Sequence, residues 1–222
     1  RLQNVNSSDD YCKVFKDAIF DVIGENGTLI VPTFTYSFCN NENFDLQNSP
    51  SICGMFTEWI RTNTNCIRSE DANYSIAAIG AKDDFFTKNS TSHSFGKNSF
   101  WERFMIENGK FCNFNFDPAS TFVHYVEKAL QVPYRFDKKF SGIFINNNEK
   151  SPKSFYHYVR ELKPEFEPQF DKFNLEANKK NLVKVSNLGK GQIVCISALD
   201  SFNLIKNELK TDPFFLAKGI GA

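Results

Sequence analysis

The sequence lacks the features that mark metalloproteins and disulfide-stabilised proteins. Its six cysteines, at positions 12, 39, 53, 66, 112 and 195, include no C-x-x-C pair, and its three histidines are dispersed. Structural and catalytic zinc sites need several such ligands at short, regular spacing. The sequence therefore predicts reduced thiols and no metal cofactor.

Charge excess and long apolar segments are absent as well. Basic and acidic residues number 26 each, so the formal net charge is zero, and no basic stripe occurs. No apolar run approaches the roughly 20 residues that a membrane helix needs, and no signal peptide follows Arg1. These absences predict a cytoplasmic protein whose partner is a small molecule rather than nucleic acid or a membrane, with homo-oligomerisation left open.

Three widespread functional motifs are also missing. No G-x-G-x-x-G follows a strand pattern, and neither G-x-x-x-x-G-K-[ST] nor G-x-S-x-G occurs. The first two form the backbone cradles of dinucleotide-binding and P-loop proteins, and the third carries the serine nucleophile of α/β-hydrolases. Their absence argues against those three classes.

Helix and strand periodicities alternate along the chain, which predicts an α/β fold with a layered central mixed sheet flanked by helices. The 222 residues, 41% of them hydrophobic, suffice for one globular domain over residues 1–222. Helices are predicted at 8–23, 51–61, 100–108 and 198–209, and strands at 28–35, 74–80, 110–116 and 140–145, with a hairpin over 183–197. Residues 146–180 are the least regular segment, with a helix around 155–162, and form either a surface insertion or a substrate-facing flap.

The strongest candidate for chemistry is the helical pattern around His124. Asp117 followed by Pro118 is typical of a helix start, because aspartate accepts from the free N–H groups and proline has no N–H to satisfy. A helix from that point places Thr121, His124 and Glu127 on one face, within an arc of about 120°. The helix dipole disfavours imidazolium, which keeps His124 able to accept a proton near pH 7. The alternative is a histidine that only packs within a half-apolar helix.

Two further clusters have both a structural and a functional interpretation. Glu58 and Arg61 are three residues apart on a predicted helix, a spacing typical of a surface ion pair. Residues 68–75 crowd charged and hydroxyl groups ahead of a strand. Such a loop is equally typical of a ligand-binding segment and of a solvated turn.

Five short motifs follow one another along the chain: GTLIVPTFT at 27–35, GMFTEWIR at 54–61, RSEDANYSIAAIG at 68–80, FGKNSFWE at 95–102 and TFVHYVE at 121–127. In this order they resemble the aminoglycoside N(3)-acetyltransferase family, also called the antibiotic N-acetyltransferases. The similarity runs from about Gly27 to Leu216, nearly the whole chain. The resemblance implies an α/β fold distinct from the commoner acetyltransferase fold, acetyl-CoA as acyl donor and an amine of an aminoglycoside or related amino sugar as acceptor.

The resemblance also gives His124 the role of general base, because only a neutral amine can attack the thioester carbonyl. Glu127, or Glu58 or Asp117 from another element, would orient the imidazole and offset its charge. Thr121 or a backbone N–H would bind the developing oxyanion. Direct transfer is expected rather than an acyl-enzyme.

The remaining site predictions come from the same motifs. They assign the acyl donor to Thr33, Thr35 and Ser75, and the acceptor to Arg68, Asp71 and Asp117.

Two departures from the family pattern bear on the substrate and the donor site. Resistance enzymes carry His-Pro after Arg-Ser, whereas this chain has Asp71-Ala72, whose negative charge suits a polycationic antibiotic and a single amino sugar alike. A His-Ser-Ser-Leu stretch near the cofactor is absent, which predicts an N-terminally incomplete chain. Antibiotic inactivation, amino-sugar acetylation for a surface polysaccharide, and a non-catalytic sugar- or partner-binding relative stay open.

Overall fold

The computed structural model describes residues 8–219, and their packing separates two compact units. The first unit contains the chain up to residue 92 together with residues 139–155, and the second contains residues 93–138 and the chain from residue 156 onward. The prediction of one domain over residues 1–222 stays a prediction. The expectation of an N-terminally incomplete chain concerns the start of the sequence, which lies outside the described residues.

Helices and strands alternate along the described residues. In chain order they are α1 (Ser8–Ile23), β1 (Thr28–Pro32), β2 (Phe44–Asp45), α2 (Met55–Asn63), β3 (Ile67–Arg68), β4 (Ile76–Gly80), α3 (Asp83–Thr87), α4 (Phe100–Ile106), β5 (Lys110–Phe114), α5 (Val123–Ala129), β6 (Arg135–Asn146), β7 (Glu149–Arg160), α6 (Asp171–Lys179), β8 (Lys184–Leu188), β9 (Gly191–Ser197) and α7 (Ala198–Glu208). A 3-10 turn at Pro164–Phe166 precedes α6. Within residues 8–219 the strands form three three-stranded sheets, and the predicted α/β class is confirmed.

The first unit begins with α1, as the helical spacing predicts. The helix stops where Gly24 takes a left-handed backbone conformation, with φ of 67°, which costs little without a Cβ atom. β1 then pairs antiparallel with β4, and β3 lies on the other side of β4. β1 is shorter than the predicted strand 28–35, because Pro32 has no N–H to continue the ladder; the next N–H groups, such as Thr33 N, donate to loop carbonyls.

The predicted helix around residues 155–162 is wrong, because this segment lies in β7. β6 and β7 are paired strands of 12 residues each. They are joined by Asn147 and Asn148, whose φ values are 49° and 68°, as a tight hairpin turn of the primed type requires. The asparagines that suggest an irregular segment thus form the turn itself. The aromatic residues that follow the turn favour an extended backbone.

The first unit buries an aromatic cluster against this hairpin. Phe38, Phe44, Phe144 and Phe155 are all at most 5% exposed, and β2 pairs parallel to β6 with Phe44 opposite Phe144. Arg68 lies over the Phe44 ring, 5.0 Å from its centroid. The hairpin therefore completes the core of this unit.

The second unit contains the sheet β5-β9-β8, in which β9 is central and both pairings are antiparallel. The predicted hairpin and last helix are confirmed as β8, β9 and α7. Val194 and Ile196 of β9 are buried, as are Leu204 and Ile205 of α7. This core supports α5, which carries His124. No helix among the described residues is long and apolar enough to span a membrane.

Candidate active site

The helix that carries His124 starts later than predicted. It begins at Val123 rather than near Asp117, and Phe122 is its N-cap residue without a side-chain cap. Asn113 at the end of β5 explains the later helix start, because its side-chain amide donates to the carbonyl oxygens of Asp117 at 2.6 Å and Ala119 at 3.2 Å. These bonds hold the chain in a bend before the helix can start.

His124 and Glu127 nevertheless share one face, because they are three residues apart within α5. Nδ1 of His124 lies 2.7 Å from Oε2 of Glu127. The glutamate side chain is fully buried, whereas the imidazole is 21% exposed. Nε2, the other ring nitrogen, makes no hydrogen bond to any residue in the described range 8–219. The imidazole is thus oriented through Nδ1, and Nε2 is left without a hydrogen-bond partner among those residues.

Two residues that the sequence analysis did not identify complete the surroundings of Glu127. The Tyr134 hydroxyl donates to Oε1 at 2.8 Å, and Nε of Arg135 lies 2.7 Å from Oε2 in an ion pair. The Arg135 contact is a charge contact, since its N–H is not aligned as a hydrogen bond. Both residues follow α5 closely in sequence, but no spacing rule links a helix residue to the start of the next strand.

These contacts keep Glu127 ionised. Burial raises the pKa of the carboxyl group, but the hydrogen bond with His124 and the charge of Arg135 outweigh burial, so the net pKa is lowered. The pKa of the Tyr134 phenol is raised by burial and by the adjacent Glu127 charge, so it stays a donor. A buried carboxylate with three partners is a rigid acceptor for the His124 Nδ1 proton.

Aromatic rings pack around the imidazole. Phe95 meets it edge to face with 5.6 Å between ring centroids, and Phe170 lies 6.4 Å away. Phe95 comes from the motif at residues 95–102 and stacks on Trp101 at 6.0 Å. These contacts restrict the ring and lower the local dielectric, which strengthens its bond to Glu127.

The hydroxyl residues predicted to bind the acyl donor lie in the first unit. Thr33 and Ser75 are fully buried, and the Ser75 hydroxyl donates to Thr33 O at 2.6 Å and accepts from Thr33 Oγ1 at 3.1 Å. Thr35 is 8% exposed and donates to Ala72 O at 2.7 Å. These bonds fix the loop after β1 to residues 72–75.

Arg68 joins the same network. Its guanidinium donates to Ser75 Oγ at 3.1 Å, to Thr33 O at 2.8 Å and to Ser49 O at 2.7 Å. Burial, together with the positive charge of Arg61, lowers its pKa to about 10, so it stays charged at neutral pH. Asp71 accepts from the backbone N–H groups of residues 73 and 74, each at 2.9 Å.

Comparison with known proteins identifies the family to which this fold belongs. The family model described as aminoglycoside 3-N-acetyltransferase matches residues 2–210. The chain belongs to the aminoglycoside 3-N-acetyltransferase family. No curated protein matches its sequence.

Several solved structures have the same fold as this acetyltransferase. AAC-IIIb in a binary complex with CoASH gives a TM-score of 0.76 at 18% identity, covering 90% of this chain and 83% of that one. Sisomicin-bound AAC-VIa gives 0.78 at 18% identity, covering 95% and 88%. YokD from Bacillus subtilis gives 0.73 at 16% identity, covering 89% and 84%. Membership of this family confirms the prediction of an acetyl-CoA-dependent aminoglycoside N-acetyltransferase.

Within this acetyltransferase, the structure brings together one predicted pair, His124 and Glu127. Thr121 precedes the helix, and its carbonyl accepts from His124 N at 3.1 Å. Asp117 lies on the exposed bend before α5. Glu58 accepts hydrogen bonds from Nη2 and Nε of Arg61, at 2.6 and 2.8 Å, and from Ser51 N. The roles of these residues stay predictions.

The predicted donor and acceptor contacts also stay predictions in this acetyltransferase. Thr33, Ser75 and Arg68 make internal hydrogen bonds from buried positions, an arrangement that supports loop geometry. For metals, no group of three or more His, Cys, Asp or Glu side chains in residues 8–219 is arranged to hold an ion.

Proposed function

We propose that His124 is the general base for direct transfer of an acetyl group from acetyl-CoA to an aminoglycoside amine. The observation that carries this proposal is the Nδ1···Oε2 contact of 2.7 Å between His124 and the buried Glu127. An imidazole that donates from Nδ1 presents the lone pair of Nε2, and the side chain as a whole is 21% exposed. That nitrogen is available to an acceptor amine.

The chemistry needs a base because an aminoglycoside amine is largely protonated at neutral pH. The ammonium first loses one proton to water, and as the neutral amine nitrogen then attacks the thioester carbonyl, its N–H proton passes to Nε2 of His124. The tetrahedral intermediate collapses with cleavage of the C–S bond, and CoA leaves as the thiolate. His124 then returns the proton to that sulfur or to water, so no acyl group is carried by the enzyme.

Glu127 acts through His124. Its charge stabilises the imidazolium that forms when Nε2 takes the proton. Arg135 and Tyr134 are positioning residues, because they hold the carboxylate that holds the imidazole. Their contacts also compensate the cost of a buried carboxylate before any substrate binds.

The remaining assignments complete the proposal. Thr121 or a backbone N–H binds the oxyanion, Thr33, Thr35 and Ser75 contact the acyl donor, and Arg68, Asp71 and Asp117 contact the acceptor. Glu58 is the alternative to Glu127 as the carboxylate that supports His124. We place the enzyme in the cytoplasm, where acetyl-CoA is available. Its acceptor is a small molecule, its reaction uses no metal ion, and its role is antibiotic resistance. Support for the acceptor class comes from AAC-VIa, which was solved with sisomicin.

The test is release of CoA thiol from acetyl-CoA by the wild type, His124→Ala and His124→Gln, with an aminoglycoside panel as acceptors. Both variants should lose at least about 10²-fold in kcat, since general base catalysis contributes roughly 10²–10⁴-fold. His93→Gln is a matched control in the same unit, and it should retain turnover. Full activity of His124→Ala would overturn the mechanism.

The same assay separates the acceptor classes. Turnover on aminoglycosides supports the proposed role, whereas turnover confined to free or nucleotide-linked amino sugars identifies a biosynthetic acetyltransferase. Absence of turnover together with absence of acetyl-CoA binding identifies a non-catalytic relative.

A further inference from the structure

Cys112 and Cys195 form a cross-strand pair that the proposed mechanism does not use. They are direct partners in the pairing of β5 with β9. The Cys195 thiol donates to Cys112 Sγ at 2.8 Å. Both residues belong to the second unit. Two thiols with this placement can be joined by a disulfide bond when a reagent oxidises one of them.

The backbone register brings the two side chains as close as an antiparallel sheet allows. Asn115 N donates to Gln192 O at 3.0 Å and Ala198 N donates to Gly109 O at 2.8 Å, which marks both ends of the ladder as hydrogen-bonded pairs. By alternation, Cys112 and Cys195 form a non-hydrogen-bonded pair, in which the Cα atoms are about 4.5 Å apart. A disulfide spans Cα distances of roughly 4.4–6.8 Å, so the bond needs no movement of the strands.

The pair lies on the outer face of the sheet. Val194 and Ile196, the neighbours of Cys195 along β9, are 3% and 2% exposed, and side chains alternate between the two faces of a strand. Cys195 is partly exposed and Cys112 is exposed. A small reagent therefore has access to Cys112 without unfolding of the core.

We propose that Cys112 and Cys195 are a reversible modification site that takes a disulfide bond by exchange with a low-molecular-weight disulfide such as oxidised glutathione. One protein thiolate attacks the reagent, forms a mixed disulfide and releases one reduced thiol. The second protein thiolate attacks the protein sulfur of that mixed disulfide, forms the Sγ–Sγ bond and releases the other reduced thiol. The two protein thiols are oxidised, the reagent disulfide is reduced, and both thiol protons end on the released molecules.

The surroundings of the two thiols determine the rate of the thiol–disulfide exchange. Cys112 is exposed as a residue, but neighbouring atoms partly desolvate its thiol, and this desolvation, reinforced by the hydrogen bond and charge of Cys195, raises the pKa of the thiol to about 12. Since the thiolate is the nucleophile, exchange should be slow near neutral pH and faster as pH rises. The second, intramolecular step should be fast, because the two sulfurs are already in contact. Mixed disulfides should therefore not accumulate.

The bond would tie β5 to β9 and close a chain loop that contains His124, Glu127 and Arg135. A cross-link that closes a long loop restricts the unfolded chain and raises stability. Because both strands already have this spacing, the folded state should change little. Oxidation is thus expected to raise Tm by several degrees and to leave the site intact.

The experiment treats the full chain with oxidised glutathione at pH 7 and pH 8.5, then blocks free thiols and measures intact mass with and without reductant. The expected product has lost the mass of two hydrogen atoms and keeps four alkylatable thiols. Tryptic digestion should give one cross-linked species joining residues 111–128 to residues 191–206. The product should form faster at pH 8.5 and should have the higher Tm.

Cys112→Ser and Cys195→Ser should each abolish that species, while Cys53→Ser, which leaves the pair intact, should not. Six free thiols after prolonged treatment of the wild type would overturn the proposal. So would a stable glutathione adduct without the internal bond, or a cross-link through other cysteines. The decisive peptide mapping uses the wild-type protein, so the proposal can be contradicted even if a variant folds poorly.

Discussion

Arg135 Nε and His124 Nδ1 lie at the same distance, 2.7 Å, from one oxygen of the buried Glu127. A guanidinium on the first residue of β6 and an imidazole on α5 thus share a single acceptor. Because the guanidinium is always charged, Glu127 is compensated before the imidazole takes a proton. This coupling links the stability of the second unit to the proposed chemistry.

Replacing Glu127 with Gln should reduce kcat by roughly 10²–10⁴-fold, because loss of the carboxylate that orients a histidine base has effects of this size. The KM for acetyl-CoA should change little, since Glu127 has no exposed atom with which to contact the donor. Steady-state kinetics of Glu127→Gln beside Glu176→Gln, a helix residue of another element, checks this. A variant with unchanged kcat would remove Glu127 from the mechanism.

Replacing Arg135 with Met should destabilise the fold by about 3–5 kcal/mol, because it leaves a buried carboxylate without its cation. Urea denaturation measures the loss, and Arg160→Met provides a matched control whose guanidinium donates to an exposed backbone carbonyl. Arg135→Lys should recover part of the stability, since it restores the charge. A loss no larger than that of the control would show that the ion pair contributes nothing.

Replacing Tyr134 with Phe should cost about 1–3 kcal/mol, because it removes one donor from the buried Glu127 and adds no partner. The ring should keep its stacking on Phe214, whose centroid lies 5.5 Å away. Tyr11→Phe, at a site 41% exposed, should be neutral. Thermal denaturation of both variants checks the difference, and equal Tm values would contradict it.

Glu127 should make stability depend on pH in the acidic range. Its pKa in the folded protein is lowered from the ordinary value of 4.5, so the unfolded chain binds the proton more tightly. The stabilisation is fully present above that value and is lost as pH falls through the lower folded pKa. The stability difference between wild type and Glu127→Gln, followed from pH 7 to pH 3, should therefore shrink at the acidic end. A constant difference would contradict this coupling.

Replacing Ser75 with Ala separates a structural role from donor binding. The variant leaves the buried Arg68 Nε without its 3.1 Å partner and should cost about 1–3 kcal/mol. If Ser75 also contacts the acyl donor, KM for acetyl-CoA rises beyond the change seen in Thr64→Ala, a hydroxyl variant at the end of α2. A stability loss with an unchanged KM would restrict Ser75 to holding the loop.

Sequence periodicity predicted most of the helices and strands because their signals are local. Gly24 ends α1 where it should, and the glycine-containing turn between β8 and β9 joins the predicted hairpin. The helix carrying His124 started late because Asn113, from the preceding strand, binds the bend before it. β7 was missed because an asparagine pair that closes a tight turn has the same composition as an irregular segment.

The sequence by itself determined the family, the α/β class and the placement of His124 and Glu127 on one helix face, since a spacing of three residues on a helix makes two side chains neighbours. The choice of Glu127 over Glu58 and Asp117 as the partner of His124 came from the structure. Only the tertiary structure decided that Arg135 and Tyr134 complete the surroundings of Glu127. It alone also set Cys112 opposite Cys195, more than eighty residues along the chain. Strand register determines which cysteines face each other, and the cost of a buried charge requires that Glu127 have partners. Neither cause produces a recognisable pattern in a single sequence.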